Sequence, residues 1–513
     1  MNETPRAPLP TTATPRPPAD RGVHLLTYVD RLAGDLPGLR ALLTEGPLSV
    51  FTGVHLLPFF VPFDGADAGF DPVDHGTVDP RLGTWIDVQD LAADGLEVTA
   101  DLIVNHVSSS SAEFEDWLAR GAASPWDGMF LTFDTVFPGG GTEADITAVY
   151  RPRVGLPFTP FRLGDGSRHL VWTTFMPSQV DLDVASPVAQ DYLRRTLRTL
   201  AAGGVRTVRL DAVGYAVKTA GTDCFMTPET LAFAGEITAM ARAEGLKVLV
   251  EVHAHYTQQQ AIAPLVDLVY DFALPPLLLH SFGTGTVDRL LHWFRIRPEN
   301  AITVLDTHDG IGVIDAGPIG DRPGLLSQEE MAAVFERAAR LTNGESTRAS
   351  TSVAFAALPH QINSTFYSVL GEDDTDYLIA RAVQLLTPGQ PQIYYIGLVA
   401  GRNDVGLFER SGTGRDINRH HLTPTEIELA MRQDVVRALL GLVRLRSTHA
   451  AFDGRFDVES PTGSSLVLTW TQGDERVVLQ VEMAAESRGL VLRWTEGGAE
   501  HTARSVADLV TFL

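Results

Sequence analysis

Val205-Arg206-Thr207-Val208-Arg209-Leu210-Asp211 is a short apolar run that ends on a carboxylate, and its kind recurs along the chain. Seven other runs share its make-up: Val23–Tyr28, Gly53–Phe60, Glu97–Val104, Lys247–His253, Leu268–Leu274, Ile302–Asp309 and Gln392–Ile396. Val, Ile and Leu fill them and turn or polar residues follow, the pattern of parallel strands covered on both faces. Amphipathic segments separate most of them. The clearest opens at Ser186-Pro187, an N-cap followed by proline at the first helical position, and runs to Gly203-Gly204. Eight strands alternating with helices predict an α/β fold, a closed parallel (β/α)₈ or TIM barrel. A doubly wound open sheet would want a glycine-rich phosphate turn after the first strand, and Asp30-Arg31-Leu32-Ala33-Gly34 supplies none.

Two intervals are too long for a helix alone, and both leave from C-terminal strand ends, where barrel enzymes build their sites. The expected organisation is a disordered proline-rich tail over 1–22, barrel over 23–106, an inserted subdomain over 107–185, barrel over 186–310, a second insertion over 311–371, and barrel again over 372–446. Residues 447–513 change character. Leu466, Leu468 and Trp470 alternate with Val467 and Thr469, and Gln472-Gly473-Asp474 turns into Arg476–Val481, which predicts a small all-β domain.

The chain has 513 residues with 40 Lys and Arg against 64 Asp and Glu, a formal charge of −24. Such a field repels nucleic acid and favours small-molecule substrates. A lone cysteine, Cys224, excludes an intrachain disulfide and a cysteine-rich metal site. The first 22 residues have no apolar core of a secretory signal, and 18 consecutive apolar residues occur nowhere, so a cytoplasmic protein with no membrane partner is expected. A homodimer is left open.

Three of the strands end in acids: Asp211, Glu251 and Asp309. A carboxylate inside an apolar run costs several kcal/mol unless it is paired. Any one of them alone could be a structural ion-pair partner; three at one barrel mouth point to catalysis. Two or three carboxylates about one centre suit glycosyl transfer through an oxocarbenium-like transition state, with a nucleophile, a general acid/base and a stabiliser. Arg209 shares a strand face with Asp211 and is expected to keep it ionised.

Asp101-Leu102-Ile103-Val104-Asn105-His106, Arg209-Leu210-Asp211-Ala212, Glu251 and His308-Asp309 reproduce in order and spacing the four strand-end motifs of the α-amylase superfamily. Within it the chain resembles the sucrose phosphorylase branch, through 57–72, 211–215, 269–278 and 305–312. The resemblance implies a double displacement in which Asp211 attacks the anomeric carbon, Glu251 protonates the leaving oxygen and Asp309 stabilises the transition state. It implies that Asp67, His106, Arg209, His308 and Arg415 grip the glucosyl ring between Phe70 and Phe175. Arg153, Tyr215, His253 and Gln361 would receive phosphate or the acceptor sugar, and Gln179 and His360 join the substrate-binding set. No cofactor is implied. Asn105 matches a position that helps bind calcium in some α-amylases, a site this branch generally lacks, so no metal is expected.

One stretch departs from the branch. Its acceptor loop usually has the form Leu-Asp-x-Tyr-Gln-x-Asn, whereas this chain reads Ala357-Leu358-Pro359-His360-Gln361-Ile362-Asn363. An acceptor for fructose hydroxyls is lost and a potential cation gained, which would suit a phosphorylated fructose. Sucrose is the expected substrate; sucrose 6'-phosphate, glucosylglycerol and glucosylglycerate are the alternatives on the same chemistry. A hydrolase or transglucosylase and a non-catalytic binding protein are the rivals of other classes.

Overall fold

The computed structural model describes residues 22–62, 68–152, 155–350 and 359–512. Eight parallel strands close into a barrel: β1 (His24–Thr27), β2 (Gly53–Leu56), β3 (Glu97–Ile103), β4 (Thr207–Asp211), β5 (Lys247–Val250), β6 (Leu268–Asp271), β7 (Ala301–Thr303) and β8 (Gln390–Tyr394). Each is hydrogen-bonded to its neighbours in chain order, and β8 returns to β1. Helices cover the outside, so β3 is buried along its whole length, which is why these strands read as apolar runs. The helix Pro187–Ala202 starts where its cap predicts, with Ser186 accepting from the Ala189 N–H.

One strand is shorter than its sequence suggests. The run that ends at Asp309 leaves the sheet at Thr303, because Asp306 is drawn sideways onto Arg381 (2.8 Å) and the Phe366 N–H (3.2 Å). His308 and Asp309 therefore stand on a tight turn in which Thr307 and Gly310 bond each other's backbone.

Between β3 and β4, His106–Ser108 pairs antiparallel with Gln179–Asp181, and the hairpin Phe158–Arg162/Arg168–Trp172 packs over its own core of Leu131, Val136, Phe137, Val149, Trp172 and Cys224. After β7, Ile311–Gly312 pairs with Gln361–Ile362. The chain closes in an antiparallel meander, β9 (Arg455–Glu459), β10 (Ser465–Gln472), β11 (Glu475–Glu482), β12 (Gly489–Glu496) and β13 (Ala499–Ala503), with the expected turn at Gly473. A final helix, Val506–Phe512, follows this sheet and packs on helix Asp434–Thr448. Trp470 Nε1 ties this sheet to the barrel layer through the Leu386 carbonyl (2.7 Å).

Candidate active site

Pairing register puts Arg209 of β4 opposite Asp101 of β3 and Leu249 of β5. Below the barrel mouth the interior is polar. His55 donates through Nε2 to Asp101 (3.2 Å), and the Tyr270 hydroxyl donates to Gln392 Oε1 (2.9 Å), all four side chains being buried. Arg209 stands on this layer and is bonded to Asp101, Asp211 and Glu251: one nitrogen reaches Asp101 and Asp211 (3.1 Å), the other Glu251 (2.7 Å). A single guanidinium thus ties together the two carboxyl groups that the chemistry would use.

Sharing has a consequence. Burial pushes the Asp211 carboxyl well above the usual carboxylate range; Arg209 opposes this, while Glu251, Asp101 and Asp309 reinforce it. Arg209 acts on Asp211 in the expected direction, but this one cation is divided among three acids and does not offset the burial. Burial also acts on Glu251, but Arg209 and His253 outweigh it and bring it down to about 2. Asp309 lies well below the usual range: burial raises it, and Arg415 (2.8 Å) and Arg419 (3.6 Å) prevail. The three acids titrate as a coupled group, with Asp211 the member most disposed to hold a proton.

These acids border a cavity of about 550 Å³. On one wall Phe70 stacks on His308 (ring centroids 4.8 Å apart, planes at 9°). His106 donates through Nε2 to the Phe70 carbonyl (3.0 Å) and lies 5.4 Å from the Phe175 ring. Burial, assisted by Arg209 and Arg419, lowers His308 to about 3, so its ring is neutral. This end offers flat apolar faces flanked by hydrogen-bonding groups, as a pyranose ring requires.

The other end is lined by Tyr150, Pro152, Tyr215, Phe225, His253, His360 and Gln361. Tyr150 is stacked between Tyr215 (6.1 Å, 19°) and His360 (6.4 Å, 8°). His360 is not the cation that the sequence suggests: burial lowers its pKa and the charge of His253 lowers it further. Burial would lower His253 as well, yet Asp315 and Glu251 raise it to about 10. His253 is the cation of this end.

Asn105 has its own occupant. Lys218 Nζ donates to Asn105 Oδ1 (2.6 Å) and the Tyr215 carbonyl (2.5 Å) and pairs with Asp181 Oδ2 (2.5 Å), both side chains of the ion pair being buried. An ammonium from the chain thus stands among the oxygens that a cation would seek. Asn105 Nδ2 in turn lies 3.3 Å from His106 Nδ1, which fixes the tautomer whose Nε2–H meets Phe70. Glu251, His253 and Asp309 also present atoms within 4.8 Å of one another. A protonated imidazole has no lone pair to give a metal there.

Asp211, Glu251, His253, Asp309, Phe70, His106, Phe175, Tyr215, His308, His360, Gln361 and Arg415 all border the one cavity. Asp67 and Arg153 lie outside the described residues, as does Leu358. Arg209 was expected on the ring, but it lies 2% exposed beneath the carboxylates it holds. Gln179 does not border the cavity: it pairs with Ser108 in a fully buried strand, and the wall there is made by Phe175 and Met176. Sequence reasoning missed Tyr150, Lys218, Phe225, Asp315 and Arg419. Of these only Arg419 had a local signal, a charge in Asp416-Ile417-Asn418-Arg419 directly after Arg415.

Residues 31–266 match the family described as alpha amylase, catalytic domain. The sucrose phosphorylase of Agrobacterium vitis is 49% identical over 95% of this chain and 98% of its own, and that of Bifidobacterium adolescentis 45% over 93% and 97%. Among solved structures, a sucrose 6F-phosphate phosphorylase from Thermoanaerobacter thermosaccharolyticum superposes with a TM-score of 0.86 at 35% identity, covering 95% of this chain and 98% of its own.

Proposed function

The chain belongs to the sucrose phosphorylase family of the α-amylase superfamily, and from that premise we propose that it converts sucrose and inorganic phosphate into α-glucose 1-phosphate and fructose with retention at the anomeric carbon. The observation that carries the reading is the Arg209 guanidinium bonded at once to Asp211 and Glu251, with Asp309 held by Arg415 in the same cavity. In this reading Asp211 is the nucleophile that forms a β-glucosyl ester. Glu251 first protonates the departing fructosyl oxygen and then takes the proton from the incoming phosphate. For this chemistry the proton shared by the pair must reside on Glu251 when the donor is bound, leaving Asp211 free to attack as the carboxylate. Asp309, fixed as a carboxylate by Arg415 and Arg419, stabilises the oxocarbenium charge. A retaining mechanism asks for Asp211 and Glu251 carboxyl groups ~5–5.5 Å apart.

The neutral His360 speaks for sucrose over a phosphorylated sugar, since the loop that departs from the family adds no charge to the cavity. A reducing cytoplasm suits a chain with one buried thiol, Cys224. Among the described residues no helix is long and apolar enough to cross a membrane.

The test is release of glucose 1-phosphate from sucrose with and without inorganic phosphate, beside a parallel run on sucrose 6'-phosphate. Phosphate-dependent release from sucrose is expected; release confined to the phosphorylated sugar would reassign the leaving group. Free glucose as the main product in saturating phosphate would make the enzyme a hydrolase.

A further inference from the structure

Behind His253 stands a carboxylate that the reaction itself does not use. Asp315 belongs to the short turn Ile314–Ala316 and is fully buried. One of its oxygens is committed: Oδ1 accepts from the Ala254 N–H (3.2 Å) and from Gln259 Nε2 (2.8 Å). The other, Oδ2, is aimed at His253 Nδ1 (3.6 Å) and has no hydrogen-bond partner among the described residues. The approach requires Gly312, where a Cβ would come within 3.3 Å of the imidazole and 3.2 Å of Oδ2. Phe272 supports the ring from below, face to face at 4.1 Å. The Nε2 edge then faces Glu251 (3.4 Å) and the cavity, and a quarter of the side chain is exposed there.

We propose that Asp315 is a positioning residue that fixes the His253 imidazole against Phe272 and holds it as a standing cation for the incoming phosphate. The proposal rests on the phosphorylase reading and names the group that acts behind it. A dianion entering between Glu251 and Asp309 must meet positive charge, and a histidine of ordinary titration would lose most of its charge near neutral pH. The charged groups around the ring are Glu251, Asp309 and Asp315, and His360 faces it uncharged; the acids outweigh the burial that would otherwise strip its proton.

The test is Asp315→Asn, which keeps an oxygen for Ala254 and Gln259 and turns an amide N–H towards Nδ1, so that the ring must accept there and become neutral. With sucrose as donor, the ratio of glucose 1-phosphate to glucose at subsaturating phosphate is expected to fall about tenfold or more at pH 8, the loss of a charge-assisted hydrogen bond, while hydrolysis without phosphate continues. The ¹³Cε1 resonance of His253 is expected to stay protonated from pH 6 to 9 in the wild type and to titrate or remain neutral in the variant. A misfolded variant leaves the wild-type titration as the test, and a wild-type midpoint near 6.5 overturns the proposal. So does an Asp315→Asn enzyme that keeps its product ratio. A wild type that makes no glucose 1-phosphate instead overturns the reading on which the proposal stands.

Discussion

Lys218→Met removes the ammonium from the junction between the barrel and the inserted subdomain while keeping most of its stem. The side chains of Lys218 and Asp181 are 1% and 0% exposed, so the lost partner leaves a buried carboxylate that, among the described residues, Thr174 bonds through its N–H (3.0 Å) and its hydroxyl (2.5 Å). Breaking one side of a buried pair costs about 3–5 kcal/mol. Spread over a unit of this length, with unfolding entropy of about 2.1 cal/mol/K per residue, 4 kcal/mol lowers Tm by about 4 °C. Differential scanning calorimetry at matched scan rates reads the shift. Lys218→Met/Asp181→Asn, which removes both charges, should recover at least half of it. Lys218→Ala opens a space bounded by Asn105 Oδ1, Asp181 Oδ2 and the Tyr215 carbonyl, hard oxygens that suit Ca²⁺, so millimolar calcium should raise its Tm and leave that of the wild type unchanged. A Lys218→Met enzyme within about 1 °C of wild type, or a double variant that falls by the sum of the singles, would refute the assignment of this ion pair.

Asp211→Ala should abolish turnover, whereas Glu251→Gln should still form the glucosyl ester from a donor whose leaving group needs no proton; mass spectrometry of the quenched protein distinguishes the two, and appreciable activity in Asp211→Ala would sink the nucleophile assignment. Gly414→Ala would place its Cβ 2.0 Å from the Ala349 carbonyl and 2.8 Å from Asn363 Nδ2, forcing the turn Gly414–Asn418 to move, and Arg415 is carried on that turn; KM for the donor should rise at least about tenfold, the loss of a charged hydrogen bond in the site, with Tm little changed. His253 is raised from 6.5 to about 10, so its contribution to stability is full below pH 6.5, declines from there and is gone above about 10. The Tm difference between wild type and His253→Gln should therefore shrink between pH 7 and 9, and a difference that grows over this range would contradict the ion-pair picture.

The barrel was legible because its strands are sealed on both faces: with water excluded from either side, β3 and β4 had to be apolar except at the layer below the mouth, and Asp101, Arg209 and Asp211 stood out against that background. The same signal misled at β7. Val304 and Leu305 continue the apolar run, but the strand stops at Thr303 because Asp306 is claimed by Arg381, 75 positions later, and nothing local announces that partner. The cavity's other end was poorly legible for a related reason. Tyr150, Phe225 and His360 come from three separate loops, each aromatic among ordinary turn residues, and they become a wall only when the insertions fold over the mouth. Charge was legible as residue type and illegible as state. His253 and His360 look alike in the sequence; two facing carboxylates make one a cation, and burial beside that cation keeps the other neutral.

How a chain of charge −24 admits a phosphate dianion follows from the same groups. Among the described residues around the cavity, Arg209, Arg415, Arg419 and His253 face Asp101, Glu251, Asp309 and Asp315, while burial and the neighbouring acids push the Asp211 carboxyl up. These cations offset the carboxylates beside them whatever the field of the whole surface, and within a Debye length of ~8 Å the local groups decide. On the proposed route the first step turns Asp211 into an ester, so this carboxyl is uncharged when phosphate must enter and can ionise again once the glucosyl unit has gone. Phosphate then meets His253 with one repelling charge fewer than it would find beside a free carboxylate. Product glucose 1-phosphate shares the cavity with a newly ionised Asp211, and that repulsion favours its departure. The ester thus keeps the nucleophile uncharged while the anion enters, and transfer returns it as a carboxyl that can ionise beside the product.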